Sequence, residues 1–518
     1  MQKKHPVAVA DNHNAVLGAS LHEILTRLKA EPTRFPKLNL IYEASDPVRE
    51  PIILHLPSNG IRLRFDGPEQ RLRLIEVLDF TKCQLTYRDK DLLKIAPPAQ
   101  AATTQHEDLS GPMFRHIYNR LLGPTFPGEY NEPEADDGTG MGLYVLSYPG
   151  IAFSFPLHSS VWSTRKDFVA ILSSASSHPA SSMAIFRGES WPVVRDCLFE
   201  QTLDPREVFS TLMKSRDPVP DEVRAIRIYG GGQLELVRPN GITPSWLKLG
   251  QTSPQNLVSM LGPPEAIYRK NDQRMSIHNP RPTSRLEQKR PDSAARIRDD
   301  STDTDQSSTT TSTDGSEEES GDGEAAGNVS GECFYNYFYH GFDILLSGPK
   351  APSLCPPSAK SMDTDVELDS LTPADASSRL VASKIILHGN VPGSYPFNRH
   401  RRCRWEIQYL KPREGQDVVN SESQFGEIEK RLHDEWKSIY KSSEEAKARQ
   451  RGMVLNRDWG DSPGSSCELL GGWEDSVGDK KVDPTEDPKG LGNTTLFGFP
   501  GLVFEVLKNG AVSAVTVF

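Results

Sequence analysis

The sequence predicts an α+β protein: tandem repeats of a helix plus three-stranded antiparallel meander, with long disordered insertions. Three observations predict it. A glycine followed by alternating apolar residues occurs four times, at Gly60–Phe65 (GIRLRF), Gly150–Phe155 (GIAFSF), Gly341–Leu346 (GFDILL) and Gly501–Val506 (GLVFEV). Period-two alternation after a turn residue is the pattern of a half-buried hairpin strand. Capped segments with an apolar stripe precede these phrases and read as helices. Between the patterned stretches lie tracts too poor in apolar residues to offset their ordering entropy.

The first unit spans about 17–80. Ser20-Leu21-His22-Glu23 is a capping box, in which serine and glutamate satisfy each other's free backbone amides. Leu21, Ile24, Leu25 and Leu28 follow on one helical face, and Pro32 and Pro36 end the helix. Strands are expected at Ile52–Leu56, at GIRLRF and at Leu72–Val77. The Asn59-Gly60 pair between the first two favours the left-handed geometry of a tight hairpin.

The second unit, about 108–188, repeats that order. Ser110 is placed to cap a helix carrying Phe114, Ile117, Tyr118 and Leu121, and Gly123-Pro124 closes it. Strands are expected at Leu143–Leu146, Gly150–Phe155 and Met183–Phe186. A separate hairpin follows, Val223–Tyr229 with Gln233–Arg238. Its Gly230-Gly231-Gly232 link lacks the lysine and hydroxyl residue of a phosphate loop, so it reads as a turn.

The third unit, about 252–410, opens with Ser253-Pro254, an N-cap followed by proline at the first helical position. Leu257, Met260 and Leu261 share a face, and Gly262-Pro263-Pro264 ends the helix. Extended segments are expected at Ile267–Arg269, Cys333–Phe338, the Gly341 phrase and Lys384–Leu387. Residues 279–330 form an acidic Ser/Thr-rich tract expected to be disordered, and 349–378 a polar insertion. In the fourth unit, about 423–518, Ser423 is the expected cap of a helix bearing Phe425, Ile428 and Leu432, continued by charged sequence to Arg451. A polar loop at 457–492 precedes strands at Leu496–Phe499, Gly501–Val506 and Val512–Val517. Loop-closure entropy grows only logarithmically with length. Residues 15–518 therefore read as a single module of four repeats with decorated loops.

Composition narrows the function classes. Ten acidic residues and no basic one lie between Asp299 and Glu324, so nearly all of the −11 net charge sits there. The near-neutral remainder makes no electrostatic case for nucleic acid. No apolar run approaches the roughly 18 residues of a membrane span, and the first residues lack the apolar core of a signal peptide. Cys83, Cys197, Cys333, Cys355, Cys403 and Cys467 are scattered without a CxxC pair, which favours free thiols in a reducing cytoplasm over a structural zinc site.

No GxSxG, HExxH or Walker pattern is present, so no enzyme activity, cofactor or metal is expected. His55, His388 and His400 read as packed or surface histidines. Asp343 and Glu505 occupy neighbouring positions in their phrases and read as solvent-facing rather than as a catalytic pair. The densest polar and aromatic stretch is Asn390–Trp405, NVPGSYPFNRHRRCRW, which places five basic or histidine side chains beside three aromatics. Arginine and aromatic residues are the usual anchors of interfaces and phosphate sites. The candidate contact residues for a partner or lipid are Tyr395, Phe397, Arg401, Arg402 and Trp405. A charged loop that keeps an edge strand soluble is the plainer reading of the same residues.

Several stretches together resemble the phagophore assembly factor family: NGIRLRFDGPEQRLRLIEV, LVSMLGPPEAIYRK, YNYFYHGFDILL, KIILHGNVPGSYPFNRHRRCRWEI and FEVLKNGAVSAVTVF. The resemblance implies a non-enzymatic cytosolic adaptor in autophagosome (phagophore) formation or related membrane traffic. It would act in complex with a WD40-propeller protein and be recruited with it to the phagophore assembly site, meeting the membrane indirectly. Two rival readings stand beside it. One is a direct phosphoinositide-binding module that uses the arginine loop; the other is an unrecognised hydrolase.

Overall fold

The computed structural model describes residues 16–88, 90–93, 111–133, 140–163, 165–174, 178–200, 222–239, 243–269, 332–348, 380–410, 418–455 and 493–518. The expected insertions at 279–330, 349–378 and 457–492, and the cap at Ser110, lie outside these residues.

The first helix, Leu21–Ala30, forms as its sequence directs. The Ser20 hydroxyl accepts the Glu23 amide at 3.2 Å, and Leu21, Ile24, Leu25 and Leu28 are all buried. They pack in one core with Leu54, Leu56, Leu63 and Phe65 from the neighbouring strands. Each such side chain contributes about 1.5–3 kcal/mol when removed from water. That far exceeds the cap, worth about 1 kcal/mol; packing, not capping, holds the helix in place.

The strands assemble into antiparallel sheets, as the alternation predicts. In the first eight-stranded sheet the order is Asn39–Ile41, Ile52–Leu56, Ile61–Phe65, Leu72–Val77, Ser182–Phe186, Ile151–His158, Met141–Tyr148 and Glu129–Asn131. Two meanders thus meet through their last strands, with Ile75 opposite Ile185. The second eight-stranded sheet has the same plan. Its order is Ala266–Arg269, Cys333–Tyr337, Phe342–Ser347, Val381–His388, Val512–Val517, Leu502–Leu507, Thr494–Phe499 and Met453–Leu455. Here Ile385 lies opposite Val517. Each sheet has its own large apolar core.

The glycine phrases occupy equivalent places. Gly60, Gly150, Gly341 and Gly501 all adopt positive φ at the entry to their strands. In three of the four, the register slips at the same step of the phrase: between Arg64 and Phe65, Leu345 and Leu346, and Glu505 and Val506. Such a slip bends the strand and increases its local twist.

A four-stranded sheet lies beside the second core. The expected hairpin, Ala225–Ile228 with Gln233–Val237, is joined by Ser245–Lys248 on one side and by Trp405–Ile407 on the other. The pairing of Ala225–Ile228 with Trp405–Ile407 is parallel, with Ile226 opposite Trp405. The glycine triplet is a turn, as its chemistry suggests.

Several expectations are corrected. The sheets are two of eight strands rather than four separate three-stranded meanders. The outer strands Asn39–Ile41, Glu129–Asn131 and Met453–Leu455 are three residues each, too short to show a period in the sequence. The second helix is one α-turn, Phe114–His116, running into a π-turn at Ile117–Leu121, with the Leu122 amide bonded to the Ile117 carbonyl five residues back. Ser423 does not cap the fourth helix. Gln424 takes the cap position without a side-chain bond, while the Ser423 hydroxyl accepts the Asn420 amide. The helix and the charged run after it do not form one continuous helix: Phe425–Trp436 is followed by a 3₁₀ turn at Lys437–Ile439 and a separate helix at Ser443–Arg449.

Candidate functional site: the arginine loop

Residues 389–404 leave the strand Val381–His388 and enter Trp405–Ile407. Asn390 and Asn398 both adopt positive φ (46° and 63°), and asparagine tolerates that region better than most residues. The Asn390 side-chain carbonyl accepts the Asn398 amide at 2.7 Å, which closes the loop on itself.

The loop lies between the two large sheets, and most of its side chains are buried there, while Arg399 stays exposed. Phe397 is buried in the first core and Trp405 in the second, where Trp405 meets Phe504 edge-on at 6.0 Å. Arg402 is enclosed: Nε donates to the Pro68 carbonyl at 2.8 Å and Nη1 to the Gly389 carbonyl at 2.7 Å. Its Nη2 donates to the Ser421 carbonyl at 3.2 Å and reaches Glu422 at 3.4 Å. Burial lowers the affinity of this guanidinium for its proton, and Glu422 opposes that effect.

Arg401 pairs with Glu222 at 2.9 Å, donates to the Val223 carbonyl at 2.8 Å and lies over the Tyr339 ring. Arg71 from the first sheet's meander binds the same Glu222 carboxylate. Arg404 joins Glu422 at 2.9 Å and Glu69 at 3.3 Å. For Glu422, burial works against the ionised form. The adjacent Arg402 and Arg404 outweigh burial and hold this carboxyl below its ordinary range.

Further bonds cross the same seam. His22 on the first helix hydrogen-bonds the Asn398 carbonyl at 3.0 Å, Arg49 donates to the Glu422 carbonyl at 3.0 Å, and Asn509 donates to the Ala44 carbonyl at 2.8 Å.

The structure therefore corrects the expected contact surface. Phe397, Arg401, Arg402 and Trp405 are buried and engaged within the chain; Tyr395 alone of the five is half-buried. An exposed guanidinium cluster able to hold a lipid headgroup is absent from this loop, because Arg401, Arg402 and Arg404 are already paired. The loop is an internal clamp between sheets.

One cluster escaped the sequence reading. Asp343 accepts hydrogen bonds from His388 Nε2 at 2.9 Å, His400 Nε2 at 2.8 Å and the Asn336 amide at 2.8 Å. The two imidazoles stack with centroids 3.8 Å apart and planes 14° from parallel. Burial pushes His400 down to about 4. Burial would raise the Asp343 carboxyl, but the two histidine hydrogen bonds overcome it and hold the group well below the carboxylate range. The three residues are far apart in the sequence, so no spacing motif marks them. Glu505 is not part of this group; it accepts the Thr494 hydroxyl at 2.8 Å.

Cys83, Cys197, Cys333 and Cys403 are free thiols, and burial pushes Cys403 up to about 12, which leaves it unreactive. Among the described residues no helix is long and apolar enough to cross a membrane.

These features define a mixed chain of antiparallel sheets, clamped at its centre by buried arginine pairs. The chain belongs to the family described as phagosome assembly factor 1, whose model matches residues 11–293 and 369–518. It is similar to PHAF1 proteins of three organisms. The Arabidopsis thaliana relative is 23% identical over 97% of this chain and 89% of its own length. The Caenorhabditis elegans relative is 25% identical over 80% and 78%. The Drosophila melanogaster relative is 21% identical over 97% and 90%. No solved structure is significantly similar to the chain.

Proposed function

We propose that this chain is a non-enzymatic adaptor in phagophore formation. It works in the cytoplasm with a WD40-propeller protein and is recruited with that partner to the phagophore assembly site. Membership of the phagosome assembly factor family carries this reading. The arginine loop supports it in a different way from the one the sequence suggested. Its Arg401, Arg402 and Arg404 are spent on joining two sheets, which suits a rigid scaffold that presents surface to a partner.

We further read the architecture as four copies of one helix-plus-meander unit, paired into two sheets. The shared positive-φ glycines and the register slip at the same step in three phrases support that reading.

The test is affinity purification of the full chain from fed and starved cells. A WD40 protein should co-purify in at least one state, and its absence from both would overturn the adaptor reading. The purified chain alone should not float with anionic vesicles in a salt-sensitive manner. If it did, a direct lipid-binding module would take the adaptor's place.

A further inference from the structure

We propose that Asp343, His388 and His400 form a binding site for one divalent cation of the zinc class. The inference rests on this cluster alone and is independent of the adaptor reading. The fold brings the three together by register. Asp343 in Phe342–Ser347 lies opposite Ile386, two residues before His388 on the same face of the adjacent strand. His400 arrives from the arginine loop. One ligand atom from each residue lies within 4.8 Å of the others.

Three observations point to a cation. First, the Asp343 carboxylate is buried and its hydrogen-bond partners are two imidazoles and one amide, with no lysine or arginine among them. A buried carboxylate is elsewhere in this chain matched by a guanidinium, as at Glu222 and Asp66. Here no fixed positive charge answers it.

Second, the Nδ1 atoms of both His388 and His400 are buried without a hydrogen-bond partner, and the His400 side chain is only 2% exposed. The Asp343 carboxylate holds each ring proton on Nε2, so each Nδ1 carries an unused lone pair. A cation here replaces these two hydrogen bonds: each ring moves its proton to Nδ1 and gives its Nε2 lone pair to the ion, while Asp343 supplies an oxygen.

Third, the ligand atoms are already gathered: the nitrogen-to-oxygen separations are 2.8 and 2.9 Å, so they need move apart by only about half an ångström to hold an ion. Zinc bonds to imidazole and carboxylate are about 2.0–2.2 Å long, which in a tetrahedral arrangement sets neighbouring ligand atoms roughly 3.3–3.6 Å apart. Two nitrogens and a carboxylate suit zinc or a neighbouring transition metal better than calcium or magnesium, which prefer oxygen alone. The His388 side chain is 15% exposed, which gives the ion a route in and leaves room for water as a further ligand. A bound ion would tie the arginine loop to the second sheet.

The experiment uses the full-length chain without an affinity tag, stripped by chelator and titrated with Zn²⁺, and separately with Co²⁺ as a spectroscopic probe. The expected result is one equivalent of each ion bound, a rise in Tm, and visible ligand-field absorption with Co²⁺. His388→Ala should abolish all three while the far-ultraviolet circular dichroism stays unchanged. If that variant does not fold, ring-nitrogen NMR of histidine in the wild-type chain decides. Zn²⁺ should shift His388 and His400; shifts confined to other histidines would overturn the site. So would a wild-type Tm indifferent to Zn²⁺, or an equal response from a folded His388→Ala.

Discussion

Gln70 and Asn390, 320 residues apart, exchange two hydrogen bonds of 2.8 Å: the Gln70 amide donates to the Asn390 carbonyl, and the Asn390 amide donates to the Gln70 side-chain oxygen. Both are buried, and both adopt positive φ, 51° and 46°. Each turn is thus held in a strained region by the other. Gln70→Ala leaves the Asn390 groups unsatisfied, and the expected loss is about 1–3 kcal/mol. Combined with Asn390→Gly in a double-mutant cycle, the pair should show a coupling on the order of 1 kcal/mol or more. Urea unfolding of the four proteins measures it, and strict additivity would mean that the exchange contributes nothing.

Arg402 tests the burial of the arginine loop. Arg402→Met removes the donor for three carbonyls and one of the cations beside Glu422, and the expected loss is about 3–5 kcal/mol. Replacing Arg401 and Arg402 together with glutamate should be worse, because two buried carboxylates would face Glu222 and Glu422. Thermal melts check this. A wild-type melt with lost partner binding would return the loop to the role of an exposed contact.

The phrase glycines should differ in their tolerance of a side chain. A Cβ at Gly341 would lie 2.3 Å from the Arg401 carbonyl oxygen, whereas at Gly501 the nearest atom, the Phe518 carbonyl oxygen, is 3.6 Å away. Both have positive φ, so alanine costs about 1 kcal/mol at either for conformation. Only Gly341→Ala adds a clash with backbone. It should therefore lose at least twice as much stability as Gly501→Ala in denaturant unfolding.

His22 makes the seam sensitive to acid. Burial is the main cause that pushes it down to about 4; nearby Arg401 and Lys29 act in the same direction, and the Asn398 carbonyl opposes them. The native state holds His22 neutral, while the unfolded chain binds the proton near 6.5. Stability from this group is full above about pH 6.5 and falls as pH drops toward 4, by up to about 3 kcal/mol. Equilibrium unfolding at pH 7 and at pH 4.5 should differ less in His22→Gln than in the wild type. Equal pH dependence would assign the acid sensitivity to other groups.

The strands were legible because their physics is local. Alternation in Ile52–Leu56 and GIRLRF shows which side chains turn inward, and a glycine at positive φ announces the turn ahead of each phrase. Ser20 and Ser253 were legible as caps because each acts on an amide three residues away. Ser423 misled because Asn420 competes for its hydroxyl, a contact that the turn geometry alone decides.

The arginine loop was legible as a cluster but not in its role. Composition cannot say whether a guanidinium faces water or a carboxylate from elsewhere. Glu222 and Glu69 answer Arg401 and Arg404 from more than a hundred residues away. The Asp343, His388 and His400 group was invisible for the same reason: strand register and loop closure assemble it, and no spacing records it. The sequence by itself determined the antiparallel class, the helix faces and the position of each phrase, because these depend on neighbours within a few residues. The tertiary structure alone decided that the meanders join in pairs, that the two sheets share a seam and that the arginines lie inside it. Those outcomes depend on burial and charge pairing between segments hundreds of residues apart.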